Sequence, residues 1–321
     1  MGLRSLNNSA SSFNAVYSST GYEAANPPPV IEQGWYGDRG VWGGGHQGGV
    51  GDKNTLDYIN ITSTGNATSF GALTVARGYT GAVSDGSRGV WGGSYNGDDM
   101  DYITFSTTSN ATDFGDMTTA TRSPAPAGNK TRGLFAGSNG DNNLIQYITI
   151  ASTGNATDFG DLTVGREQGC GAVNSLRAVF AGGFTLTNVM DYVTIATTGN
   201  ATDFGDLTDN RFKGGAGCSD QNGRGCFGGG HDAGVNDQMK IDYIQISTPG
   251  NGTDFGDLTV AREFLGACNN ATRGVWGGGS TGDGSTNENV IDYVTISTTS
   301  NASDFGDLTG ARFFVSAASG D

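Results

Sequence analysis

Short runs in which apolar and polar residues alternate recur along the chain with a period of about 45–50 residues. The clearest is Asp292-Tyr293-Val294-Thr295-Ile296-Ser297, where Val294 and Ile296 alternate with polar Thr295 and Ser297, the period of a half-buried strand. Equivalent runs begin at Asp57, Asp101, Gln146, Asp191 and Asp242. An aliphatic-aromatic run ending in small residues precedes each one: RGVWGGG at 39–45, RGVWGGS at 88–94, RGLFAGS at 132–138, RAVFAGG at 177–183, RGCFGGG at 224–230 and RGVWGGG at 273–279. After the alternating run come Thr-Gly-Asn-Ala or Thr-Ser-Asn-Ala, a hairpin-type turn, and a short run such as Asp-Phe-Gly-Asp-Leu-Thr at 304–309. A closing Arg and a run of small residues, as at 78–83, lead into the next copy. Each repeat therefore predicts four strands: b ending in the glycines, c alternating, d around the Asp-Phe-Gly-Asp tract, and a after the Arg.

A single four-stranded repeat cannot bury both of its faces, so six tandem copies predict an all-β chain folded as one six-bladed β-propeller. The ends predict how the ring closes. The first copy lacks a good strand a before Arg39, and the chain stops at Phe313-Phe314-Val315-Ser316-Ala317-Ala318, a strand a with no b after it. The C-terminal strand is expected to complete the first blade and leave no unfinished sheet. Residues 34–321 are thus the propeller, and 1–33 an extended N-terminal segment ending in the stiff Pro27-Pro28-Pro29.

Composition narrows the function. With 56 Gly, 6 Pro and no Gly-X-Y period, the chain suits short strands and tight turns. A net charge of −15 argues against nucleic acid and against electrostatic docking on anionic membranes. Of 13 Arg, 12 fall at two repeated places and read as framework. No run of ~18 apolar residues suggests membrane insertion, and residues 1–12 lack the apolar core of a signal peptide. The four Cys form no CxxC pair and read as small buried residues, with a Cys218–Cys226 bridge between adjacent strands left open.

The order of a hydrophobic strand with a Gly pair (Gly92-Gly93), Tyr102, an aromatic at Phe114 and Arg122 resembles the kelch repeat, with Phe in place of its usual Trp in every copy. The NAT–DFGDLT tract resembles kelch-like repeats in virion proteins of tailed phages of marine cyanobacteria. The opening MGLRSLNNSASSF, running on to Asn26-Pro27-Pro28-Pro29, resembles a short N-terminal segment of fibre-like proteins of those phages. The resemblance implies a virion protein made in the host cytoplasm, a tail-fibre or decoration adhesin. Residues 1–33 would then meet other virion proteins, and the propeller a host-surface glycan or protein. A purely structural virion connector and a cellular kelch interaction module are the other readings. Homo-oligomer formation stays open, although no heptad stretch is present to drive it.

Candidate chemistry is sparse. DFG at 113–115 lacks the other kinase motifs, and its repetition marks a structural turn. The sequons at Asn66, Asn110, Asn155, Asn200, Asn251 and Asn301 read as turn residues. Only His46 and His231 are present, in non-adjacent blades, so no shared metal, no cofactor and no enzyme activity is expected. The closing ring Arg77, Arg122, Arg166, Arg211, Arg262 and Arg312 either lines an anion-binding channel mouth or pairs with DFGD carboxylates such as Asp116 or Asp161, or with backbone carbonyls. The cost of burying unpaired Arg favours pairing. Specificity should sit where the copies differ, on the b–c loops, which share a face with the d–a connections. The candidates there are His46, Tyr95, Asn96, Asp98, Asp99, Asn139, Asp141, Phe184, His231, Asp232, Asp283 and Asn287. Asn and Asp suit sugar hydroxyls, and Tyr95 or Phe184 suits stacking on a sugar ring. Asp98, Asp99 and Asp141 are also compatible with Ca²⁺, although Asp283 lacks the Gly and Glu of an EF-hand loop.

Overall fold

The alternating runs all become strands, and six antiparallel four-stranded sheets account for the repeats. The structure is a computed structural model. It describes residues 37–321 apart from 141, 185–186, 212–215, 221, 233–235 and 283, so the expected N-terminal segment 1–33 lies outside the described residues. Within the described residues every regular element is a strand, and no helix is long and apolar enough to cross a membrane.

Blade 2 shows the plan, with strands a to d at Gly81–Ser84, Arg88–Gly92, Asp99–Thr104 and Thr112–Asp116. Blades 3 to 6 repeat it. Blade 1 takes its strand a from the C-terminus: Ser316–Gly320 pairs with Arg39–Gly43, from Arg39 opposite Gly320 to Gly43 opposite Ser316. The expected clasp is therefore present. Strand a of each blade packs on strand a of the next, and the last returns to the first, which closes a ring of six.

Alternation decides which side chains fill the gaps between blades. Trp42, Trp91, Trp276, Phe135, Phe180 and Phe227 on strand b are fully buried. The indole N–H groups of Trp42, Trp91 and Trp276 donate to the carbonyls of Gly266, Ser316 and Ala216 in the preceding blade, so each large apolar ring also satisfies its one donor. The strand c Tyr lies edge-on to the strand d Phe, as in Tyr102–Phe114 and Tyr192–Phe204. The first Arg of strand b lies over that Tyr and donates to a carbonyl of the following blade, as Arg88 does to Ile150 O.

The Asp-Phe-Gly-Asp tract has a physical role. The c–d register shifts at the strand c Asp or Gln, so the strand d Phe bulges inward and is buried. The next Gly takes φ of 143° at Gly160, and a Cβ there would lie 2.5 Å from the Gly199 backbone of the next blade. The sequon asparagines act at the same seam. Asn155 Oδ1 accepts from Asp116 N, and Asn66 Oδ1 from Asp307 N, each at 3.1 Å. The asparagine is thus an inter-blade clamp as well as a turn residue.

Candidate functional site on the loop face

The closing arginines pair with a different partner from the expected DFGD carboxylates. Five of the six reach the strand c aspartate of the following blade: Arg77 to Asp101, Arg166 to Asp191, Arg262 to Asp292, Arg211 to Asp242 at 3.1 Å and Arg312 to Asp57 at 2.7 Å. Backbone carbonyls take further donors, such as Gly182 O from Arg166. Both partners are buried in every pair. Burial pushes the Arg166 guanidinium down and the Asp191 carboxyl up, each opposed by the other's charge. These five side chains tie blades together and are withdrawn from any ligand.

Arg122 is the exception. The paired arginines lie seven residues after the strand d Phe (Phe70 to Arg77, Phe159 to Arg166), whereas Phe114 places Thr121 at that position and Arg122 one residue later. The partner differs to match. Gln146 stands where the other blades have Asp, its Nε2 donating to Thr121 Oγ1 at 2.8 Å and its Oε1 accepting from Thr118 N and Oγ1 at 2.6 Å. A neutral pair replaces the ion pair, and Arg122 leaves the ring. Its guanidinium lies 4.7 Å from the Tyr79 ring centre and 4.5 Å from that of Tyr95.

Tyr79 belongs to a second ring, two residues after the paired-arginine position. Tyr79, Ser123, Gln168, Phe264 and Phe314 all occupy it, and all have left-handed φ between 47° and 63°. Bulky side chains pay for that conformation. The compensation is visible: Tyr79 N donates to Phe314 O, Ser123 N to Tyr79 O and Gln168 N to Ser123 O, at 2.7–3.1 Å. The d–a connections are thus strapped to one another around the channel mouth. A cavity of about 80 Å³ opens there, lined by Tyr79, Ser123, Gln168, Phe264 and Phe314 among others.

On one side the mouth is aromatic. Tyr79 stacks on Phe314 with ring centres 3.6 Å apart, Phe264 follows at 3.9 Å from Phe314, and Tyr95 meets Tyr79 edge-on at 5.4 Å. Tyr95 is 52% exposed at the outer end, whereas Phe264 is buried. Reading from the sequence missed Tyr79, Phe264 and Phe314. Comparing the copies two residues past the paired-arginine position shows them to be variable, which is the signal that finds them.

The predicted loop residues fall into two groups. His46, Tyr95, Asn139, Phe184 and His231 occupy one equivalent position directly after the strand b small residues, with Ser280 as the sixth, so the fold sets them around the loop face. Phe184 is 48% exposed, and Asn139 is exposed. The remaining candidates are dispersed. Asn96, Asp98 and Asp99 are exposed at the blade 2 loop, Asp99 opposite Asp116 in the sheet. Asp232 Oδ1 accepts from Asn236 N at 3.0 Å, and Asn287 pairs with Ser280 in a short antiparallel ladder. Asp141 and Asp283 lie outside the described residues. Among the described loop residues, Tyr95 meets the aromatic mouth at Tyr79 and the displaced Arg122, and His46 meets it edge-on at Phe313, with ring centres 5.3 Å apart.

An arginine beside an exposed tyrosine at this mouth can hold a flat polar ligand by stacking and by charge-assisted hydrogen bonds. The fold defines the chain as a six-bladed β-propeller. No family model matches the chain, and no curated protein is similar to it.

Proposed function

We propose that this protein is a non-enzymatic binding protein of a phage particle, a tail-fibre or decoration adhesin. Its propeller takes a host-surface glycan or protein at the channel mouth on the loop face. The observation that carries the reading is Arg122, released from the inter-blade ring by the Thr121–Gln146 pair and laid across Tyr79 and Tyr95. Five of the six closing arginines tie blades together, and the sixth, displaced by one residue, lies beside an exposed aromatic ring. Tyr95 offers a face for a sugar ring, and Arg122 offers donors for hydroxyl or carboxylate groups. The strapped left-handed backbone keeps this platform rigid, which lowers the ordering cost of binding. The resemblance of residues 1–29 to fibre-like proteins supports attachment to other virion proteins through the N-terminal segment.

The test is binding of the full-length protein to a glycan array and to host cells, beside Tyr95→Ala and Arg122→Ala, with peptide mass spectrometry on purified particles. Binding by the parent chain that falls about tenfold or more in both variants supports the mouth as the site. Recovery from particles without glycan or cell binding leaves a structural connector. Absence from particles removes the virion reading.

A further inference from the structure

Blades 1 and 5 carry the same pair of residues with one difference. His46 faces Asp52 across a short antiparallel bridge, and His231 faces Asp237 in the same way. The residue after the paired arginine packs against each bridge. In blade 1 it is Gly78, whose Cβ would stand 3.4 Å from His46 N and 3.5 Å from Asp52 Oδ1. In blade 5 it is Glu263. The repeat thus supplies its own reference: the same backbone arrangement, with and without a third carboxylate donor.

The histidines behave differently in the two blades. His46 Nδ1 hydrogen-bonds Asp52 Oδ1 directly at 2.7 Å, and both side chains are about one-third exposed, at 31% and 35%. His231 and Glu263 have no exposed surface. His231 Nδ1 instead bonds the Asp232 carbonyl oxygen at 3.0 Å. A carbonyl only accepts, so Nδ1 donates in this bond, which assigns Nε2 as the ring nitrogen that would ligate a metal. Asp237 Oδ2 accepts from Gly282 N of blade 6 at 2.6 Å, which orients the carboxylate. Its Oδ1 is buried and makes no hydrogen bond among the described residues. One donor atom from each of His231, Asp237 and Glu263 lies within 4.8 Å of the other two. Donors at ~2.0–2.2 Å from a tetrahedral ion are ~3.5 Å apart, so modest side-chain rotations close the set.

We propose that His231 Nε2, Asp237 Oδ1 and the Glu263 carboxylate bind one divalent transition-metal ion, Zn²⁺ by ligand type, beside the junction of blades 5 and 6. One imidazole and two carboxylates match the nitrogen and oxygen preference and the charge of such an ion. Bound there, it pins the b–c loop of blade 5 to the d–a connection of the same blade and, through Gly282, to blade 6. Reading from the sequence looks for a metal shared by two histidines. The site takes one histidine and two acids from a single blade.

The experiment strips the full-length protein with EDTA, removes the chelator, and titrates with Zn²⁺, Mn²⁺ and Ca²⁺ separately by calorimetry, with native mass spectrometry and melting curves alongside. The expected result is one Zn²⁺ per chain and a higher Tm in its presence. His231→Ala and Glu263→Gln should each weaken uptake by more than about tenfold. His46→Ala should leave uptake unchanged. Asp237→Asn, nearly isosteric, should melt like the parent without metal and lose the Zn²⁺-dependent rise, which separates lost binding from lost folding. Absence of uptake by the parent chain, or uptake that none of the three ligand variants weakens, overturns the site. A preference for Ca²⁺ over Zn²⁺ overturns the transition-metal assignment.

Discussion

Gln146 Nε2 donates to Thr121 Oγ1 across 2.8 Å, where each of the five other blade junctions holds an arginine and an aspartate. Thr121 is fully buried and Gln146 nearly so. Both partners depart from the repeat together because a buried junction tolerates an ion pair or a neutral pair, but not half of either.

That coupling is testable. Gln146→Asp alone puts a carboxylate beside a hydroxyl in a buried site and should cost about 3–5 kcal/mol. Adding Thr121→Arg rebuilds the pair found at the other junctions and should restore much of the loss. Urea unfolding of the parent, both single variants and the double variant gives the coupling energy, and strict additivity would refute the pairing.

The intact ion pairs predict the opposite case. Asp191→Ala leaves the fully buried Arg166 guanidinium without its counter-charge and should cost about 3–5 kcal/mol. Asp209→Ala removes only the partner of Lys240, a pair whose side chains are 30% and 59% exposed, and should cost less than about 1 kcal/mol. Urea midpoints for the two variants compare the effects directly.

The seam asparagines should behave as acceptors. Asn155→Ala removes the bond from Asp116 N and should cost about 1 kcal/mol, whereas Asn155→Asp keeps an acceptor and should cost less. Gly160→Ala should cost more than either, because it meets both a left-handed φ and a backbone 2.5 Å away. Denaturant midpoints rank the three.

The four thiols should be silent in the folded protein. All four are buried and outside any disulfide, and Cys218 faces Cys226 across strands a and b. Burial pushes the Cys170 thiol up to about 11 and raises those of Cys218 and Cys268 as well. For those three a raised value means less thiolate at pH 8 than an ordinary cysteine has, and burial shields all four, so reaction with a disulfide reagent should be negligible until denaturant exposes them. Rapid labelling of the native chain at pH 8 would contradict this burial.

Ring closure should depend on the last strand. Ending the chain at Val315 removes the partner of Arg39–Gly43 and bares a buried strand edge. The truncated protein should lose its cooperative melt and aggregate on size-exclusion chromatography. Substituting Asp321, an exposed terminal residue, should leave the melt intact.

Periodicity alone determined the strands, the number of blades and the C-terminal clasp, because alternation and turn chemistry act over a few neighbours and each copy carries them in full. His46, Tyr95, Asn139, Phe184 and His231 were legible as variable loop residues for the same reason. The partner of the paired arginines was not. A repeat records that Arg166 and Asp191 recur, but only the packing of one blade on the next brings them together across 25 positions. The one-residue displacement of Arg122 is present in the sequence, yet its consequence depends on Gln146 filling the vacated junction and on Tyr79 and Tyr95 arriving from other connections. Glu263 likewise follows an unremarkable arginine until the fold sets it beside His231 and Asp237. Local chemistry therefore specified the blade, while closing the ring decided which side chains became framework and which were left to face a ligand, since those contacts join residues that no short-range pattern relates.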